Sequence, residues 1–142
     1  MHLLHLKLYH LHPIAVHFPI ALLLTGFFMA AAQKFYPNAW LESSSNCLLY
    51  MGTVAAMFAI GFGLLAEQTA PHVPAAWEEL YDHKRLGIAT GIFFLWLSIW
   101  KFRSKDFYPK AFLGFWLVGC GLLMITGHFG GHLVFEYGVG VR

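Results

Sequence analysis

Charged residues are scarce in this sequence, 11% of 142 positions against 58% hydrophobic and 18% aromatic, with a mean hydropathy of +0.61. A soluble domain carries about a quarter charged residues, so a water-exposed globule is excluded and lipid is the expected solvent. Cysteine is nearly absent. Cys47 and Cys120 lie in or beside separate apolar stretches with no Cys-x-x-Cys-His or paired spacing, which excludes covalent haem attachment and disfavours a structural disulfide. No His-Glu-x-x-His motif occurs, so a hydrolytic metal site is disfavoured. The cations are few and sit beside apolar runs, which argues against nucleic-acid binding, and no nucleophile is set beside a base.

Long apolar runs are what the chain has in quantity. A bilayer core about 30 Å thick takes about 20 apolar residues, and Ile14–Ala32, Cys47–Ala66, Leu86–Trp100 and Ala111–Thr126 come close to that length. The intervening stretches hold most of the charges and Pro37, Pro71, Pro74 and Pro109. These features predict one transmembrane domain over residues 1–142. It is an all-α, integral membrane four-helix bundle with helices near 13–33, 46–67, 74–102 and 109–129, and both termini on one side. Ala30-Ala31-Ala32 has the look of a leader-cleavage site, but Lys7 is the only cation among the first twelve residues and Pro19 interrupts the apolar region, so the first helix is expected to stay.

With four passes, all nine histidines fall on the same face. His2, His5, His10, His12 and His17 open the first helix, His72 and His83 lie in the central connection, and His128 and His132 close the fourth helix. Lys34, Lys101, Arg103, Lys105 and Lys110 fall on the other face, against Lys7, Lys84, Arg85 and Arg142 with the histidines. By the positive-inside pattern this places the histidines on the outer, periplasmic face of a bacterial inner membrane.

Local chemistry sharpens the picture. Pro13 suits a first helical turn, whereas Pro19 removes the bond to the Ala15 carbonyl and opens the helix near His17. In the second helix Gly52, Ala56, Ala59, Gly63 and Glu67 form a stripe of small residues, fit for close packing or for a flat ligand. That stripe ends in a carboxylate expected to pair with a histidine. Glu78 and Glu79 after Pro74 mark a helix start, and from His83 the glycines Gly87 and Gly91 follow at spacings of four. His128 and His132 share a face if the fourth helix survives Gly130-Gly131.

The opening His12-Pro13-Ile-Ala-Val-His17-Phe-Pro19-Ile20 and the closing Gly130-Gly131-His132-Leu-Val-Phe-Glu-Tyr-Gly138-Val139-Gly140-Val141 resemble the bacterial family labelled domain of unknown function 2231, over essentially the whole chain. That resemblance implies a small four-helix membrane protein. Its members stand alone or are fused to cytochrome c or Rieske modules, which implies electron transfer near the outer face. The family's closing motif often reads Tyr-Arg-His-Gly-Val-Gly-Val, and Tyr137 stands here where that motif has its histidine.

Two imidazoles from different helices hold haem b without any local motif. The expected ligands are His12, His17, His83, His128 and His132, with Glu67 and Asp82 behind them. The first pairing expected is His17 with His83 across diagonal helices, and His12 with His128 or His132 would hold a second haem. On this reading the protein is an electron-transfer subunit of a larger redox complex rather than a stand-alone enzyme. It would work with a periplasmic cytochrome c or Rieske protein, and with quinone as a membrane partner. A non-haem metal site built from several imidazoles with Glu67 or Asp82, and a structural or assembly subunit, stand as the alternatives.

Overall fold

The computed structural model describes residues 7–104 and 110–140. His2, His5, Lys105 and Arg142 lie outside the described residues. The described chain forms α1 (Leu11–Ala15), α2 (His17–Ala32), α3 (Ala39–Thr69), α4 (Trp77–Arg103) and α5 (Lys110–Phe135), with short 3-10 turns before α1 and α4. Four helical segments are long and apolar enough to cross a membrane: Leu8–Ala32, Ala39–Thr69, Pro74–Arg103 and Ala111–Phe135.

The first span is broken at Val16, between α1 and α2. Pro19 has no N–H for the Ala15 carbonyl, and the next bond, Ile20 N–H to Val16 O, is stretched to 3.5 Å. The second helix starts at Ala39, earlier than its apolar run suggests, because the Asn38 side chain accepts from Trp40 N at 2.8 Å and caps it. Its polar Ser43-Ser44-Ser45-Asn46 stretch is helical, and Ser45 is buried with its hydroxyl on the Glu42 carbonyl. The last helix runs straight through Gly130-Gly131 to Phe135. Gly138, at φ +65, then closes it by donating its N–H to Val134 O at 3.0 Å.

Around the bundle α2 packs on α3 and α5, and α4 packs on α3 and α5, so α2 and α4 lie on a diagonal. The contacts of His12 with Ala59, and of His83 with Thr126, put the starts of the first and third spans beside the ends of the second and fourth. The order is therefore up-down-up-down. The core holds Leu23, Leu49, Phe94, Leu97, Phe112 and Trp116, and the Trp116 indole N–H donates to Leu23 O at 3.2 Å inside it. Thr53 Oγ1 and Ser98 Oγ, 2.8 Å apart, tie the two middle spans together. Outward positions such as Phe18, Phe28, Phe58 and Ile92 are exposed as lipid-facing residues would be. Trp77 and Tyr81 at one end, with Tyr36 and Trp40 at the other, stand where interfacial aromatics belong.

The bundle is built twice over. Leu23 packs on Gly52 in the first helical hairpin, and Phe94 packs on Gly119 in the second. Buried positions pair at one offset between the first and third spans, Pro19 with Thr90, Gly26 with Leu97 and Ala30 with Lys101, and at a second, slightly shorter one between the second and fourth, Leu49 with Trp116 and Ala56 with Leu123. Both hairpins start at the same end, so an approximate two-fold axis runs along the bundle.

Close helix approach is what the glycines provide. A Cβ at Gly52 would come within 2.6 Å of Leu23 Cγ, whereas one at Gly114 meets nothing within 4 Å. Gly52→Val is expected to destabilise the fold by about 1–3 kcal/mol, and Gly114→Ala to leave it at least as stable as the wild type, as read by thermal denaturation in detergent. Equal melting of the two variants would contradict this packing.

Candidate functional site

The duplicated hairpins bring one imidazole each to the two-fold axis. His12 of α1 and His83 of α4, both half-buried, face each other across the diagonal with ring centres 6.0 Å apart and planes at 73°. His12 Nδ1 lies 2.9 Å from Ala59 O, and His83 Nδ1 lies 3.1 Å from Thr126 O. A carbonyl oxygen only accepts, so Nδ1 carries the proton in both rings and each neutral imidazole keeps the lone pair on Nε2. Among apolar helices backbone carbonyls are the acceptors within reach, and these bonds orient both rings.

Each ring also lies over a glycine one turn beyond the carbonyl that holds it. A Cβ at Gly63 would sit 3.0 Å from His12 Cε1, and one at Gly130 would sit 2.9 Å from His83 Cε1. Carbonyl and glycine thus occur at the same spacing in both hairpins, Ala59 with Gly63 and Thr126 with Gly130. Thr126 is held in turn, its hydroxyl donating to Leu122 O and lying 3.1 Å from Thr90 Oγ1.

His83 therefore meets His12, where the sequence suggested His17. Positions five apart on a helix point about 140° away from each other, so only one of these two can face inward. The inward row of the first span is His12, Pro19, Leu23, Gly26 and Ala30, and His17 is exposed beside Phe18. His128 and His132 do not join the central pair. They are exposed on one face of α5 with ring centres 6.4 Å apart at 29°, and His132 Nδ1 lies 2.6 Å from Glu79 Oε1. Glu67 pairs with Lys84 Nζ at 2.7 and 3.0 Å, not with a histidine. Asp82 is exposed and lines a cavity with His128 and His132. His72 stacks on Trp77 at 6.0 Å, and His10 packs edge-on against Tyr9.

The two glycines that follow His83 at spacings of four differ in what they face. Gly91 is the seat of Ile60 and Met57 from α3, while at Gly87 the nearest neighbour of a Cβ would be Thr126 Cγ2 at 3.8 Å. The residues that sequence reasoning missed are Gly130 and Thr126. Gly130 was read as half of a helix-breaking pair, and its signal was the Phe-Gly dipeptide that it shares with Phe62-Gly63.

The profile of a family described as predicted membrane protein (DUF2231) matches residues 9–142. The chain belongs to the DUF2231 family. It is a multi-pass membrane protein of four apolar helices. No curated protein and no solved structure matches this DUF2231 member. Cys47 and Cys120 are free thiols. Among the described residues no three His, Cys, Asp or Glu side chains converge as a metal ion held by protein alone would require.

Nitrogen NMR on histidine-labelled protein without cofactor tests this geometry. Two rings should report the neutral tautomer with hydrogen on Nδ1, and one such signal should vanish in His12→Ala and the other in His83→Ala. Hydrogen on Nε2 in either ring would contradict the two carbonyl bonds.

Proposed function

We propose that His12 and His83 are the two axial ligands of a single b-type haem, and that this DUF2231 member is an electron-transfer subunit of a membrane redox complex. The carrying observation is the pair itself, two imidazoles from diagonal helices on an approximate two-fold axis, each with Nδ1 tied to a carbonyl. The ring centres lie 6.0 Å apart, near enough that both imidazoles would hold one iron-centred group. A carbonyl on Nδ1 is also the usual outer partner of a metal-bound histidine, fixing its tautomer and orientation.

The size of the donor set favours haem over the other metals. Zinc takes four protein ligands, or three and a water, whereas a porphyrin brings four nitrogens and asks the chain for two. Bound haem supplies one-electron transfer with its two axial ligands in place. The chain's own contribution is to hold both imidazoles before iron arrives. Gly63 and Gly130 leave room for the rings.

One haem per chain is part of the proposal. His12 is engaged with His83, and His128 and His132 share one helix face, so they cannot approach a ring from opposite sides. The histidine end is assigned to the periplasmic side of a bacterial inner membrane because Lys101, Arg103, Lys105 and Lys110 crowd one connection at the other end, against Lys7, Lys84, Arg85 and Arg142 at the histidine end. The partner classes that fit are a periplasmic cytochrome c or Rieske protein on that side and quinone in the bilayer.

Absorption spectra of protein purified from haem-replete cells test the assignment. The wild type is expected to carry one haem per chain, with a Soret band that sharpens and an α-band that appears on dithionite reduction. His12→Ala and His83→Ala should each lose the low-spin spectrum, and His17→Ala should keep it. A colourless wild type, or unchanged spectra in His12→Ala and His83→Ala, would overturn it.

A further inference from the structure

The approximate two-fold makes His12 and His83 counterparts, and it also shows where their settings part. Thr126, whose carbonyl accepts from the His83 ring, donates its hydroxyl proton to Leu122 O at 2.8 Å. The buried Thr90 hydroxyl, 3.1 Å away, therefore donates to Thr126 Oγ1. In the first hairpin the positions that correspond to Thr90 and Thr126 are Pro19 and Ala59. Neither carries a hydroxyl, so among the described residues no such pair stands behind Ala59 O, the carbonyl that holds His12.

The backbone differs in the same sense. His83 lies within α4, which runs unbroken from Trp77 to Arg103. His12 lies in α1, which is five residues long with none of them buried, and the break at Val16 parts it from α2. Pro19 supplies that break, since it has no N–H for the Ala15 carbonyl and the bond from Ile20 N–H to Val16 O is stretched to 3.5 Å. Tyr9, buried just before α1, tethers the segment, so its freedom is a tilt about Val16 that moves no buried side chain of α1. The space that the His12 ring leaves on such a tilt is walled by Gly63, where a Cβ would sit 3.0 Å from His12 Cε1.

We propose that the two imidazoles are unequal, His83 the fixed ligand and His12 the exchangeable one, and that a small neutral molecule of the carbon monoxide class takes the place of His12. The inference rests on the haem pairing proposed above. In the exchange the bond to His12 Nε2 breaks with its electron pair left on the imidazole, and a lone pair of the incoming molecule replaces it, so no oxidant, reductant or proton is called for. Thr90 is a positioning residue that acts on His83 through Thr126. Pro19 acts on His12 through the break at Val16, a hinge of the kind that a few residues at the end of an element provide.

Carbon monoxide is the probe, added to the dithionite-reduced full chain in detergent. The wild type is expected to bind one CO per haem, at a rate that levels off as CO is raised because His12 must leave first. Pro19→Ala, which returns an N–H to the Ala15 carbonyl, should lower that plateau about two- to tenfold, the worth of one hydrogen bond, and Thr90→Val should leave it unchanged. In protein without cofactor, nitrogen NMR should show the Nδ1 proton of His12 exchanging with solvent faster than that of His83. Thr90→Val should speed the His83 exchange by about two- to tenfold, and Thr90→Ser should return it to the wild-type rate. A ferrous haem that refuses CO, or a plateau moved by Thr90→Val and indifferent to Pro19→Ala, overturns the exchange at His12. Equal proton exchange in the two rings overturns their inequality. A wild type without haem is a failure of the pairing instead, and the comparison of the two rings in cofactor-free protein still decides whether they are unequal.

Discussion

The approach of His12 to His83 across the diagonal is the constraint from which the architecture is best understood. An imidazole inside apolar helices must place its N–H on something, and in lipid the available acceptors are backbone carbonyls and other polar side chains. Ala59 O and Thr126 O serve, and each ring reaches its carbonyl across a glycine, Gly63 or Gly130. With both Nδ1 atoms committed, the two Nε2 lone pairs are what the pair has left to offer a ligand. An ion with few protein donors and a large, flat, apolar remainder fits that offer.

Duplication explains why the two rings meet at all. A histidine placed identically in each of two hairpins arrives at the axis relating them, in the way that ligand sites form at repeat interfaces in other membrane folds. The hairpins agree where they pack, as with Leu23 on Gly52 and Phe94 on Gly119, and they differ where packing leaves freedom. Pro19 answers to Thr90. The proline breaks the first span at Val16, whereas the Thr90 hydroxyl lies 3.1 Å from that of Thr126, whose carbonyl holds His83.

Much of this was legible in the residues. Charge scarcity and four apolar runs gave the all-helical membrane fold, and the motifs at the two ends gave the family. The collection of histidines at one end was plain, and so was the small-residue stripe of the second helix. The diagonal placing of the first and third helices was legible, but it does not say which of His12 and His17 faces His83; helical phase decides that. Reading the row His12, Pro19, Leu23, Gly26 and Ala30 as one face would have selected His12. The early start of α3 was hidden by the serines of its first turns, and Asn38 was its one local sign. The pairing of Glu67 with Lys84 was beyond sequence reasoning, since several cations and imidazoles end at the same level and only the packing of α3 on α4 chooses among them. The internal repeat was hidden too, because burial recurs in the two halves while residue identity hardly does.

The central claim is that His12 and His83 together hold one haem. Low-temperature EPR of the oxidised protein tests it most directly. The account predicts a low-spin ferric signal with nitrogen couplings from two histidines. A high-spin ferric signal, or low-spin iron coupled to a single histidine, would contradict it.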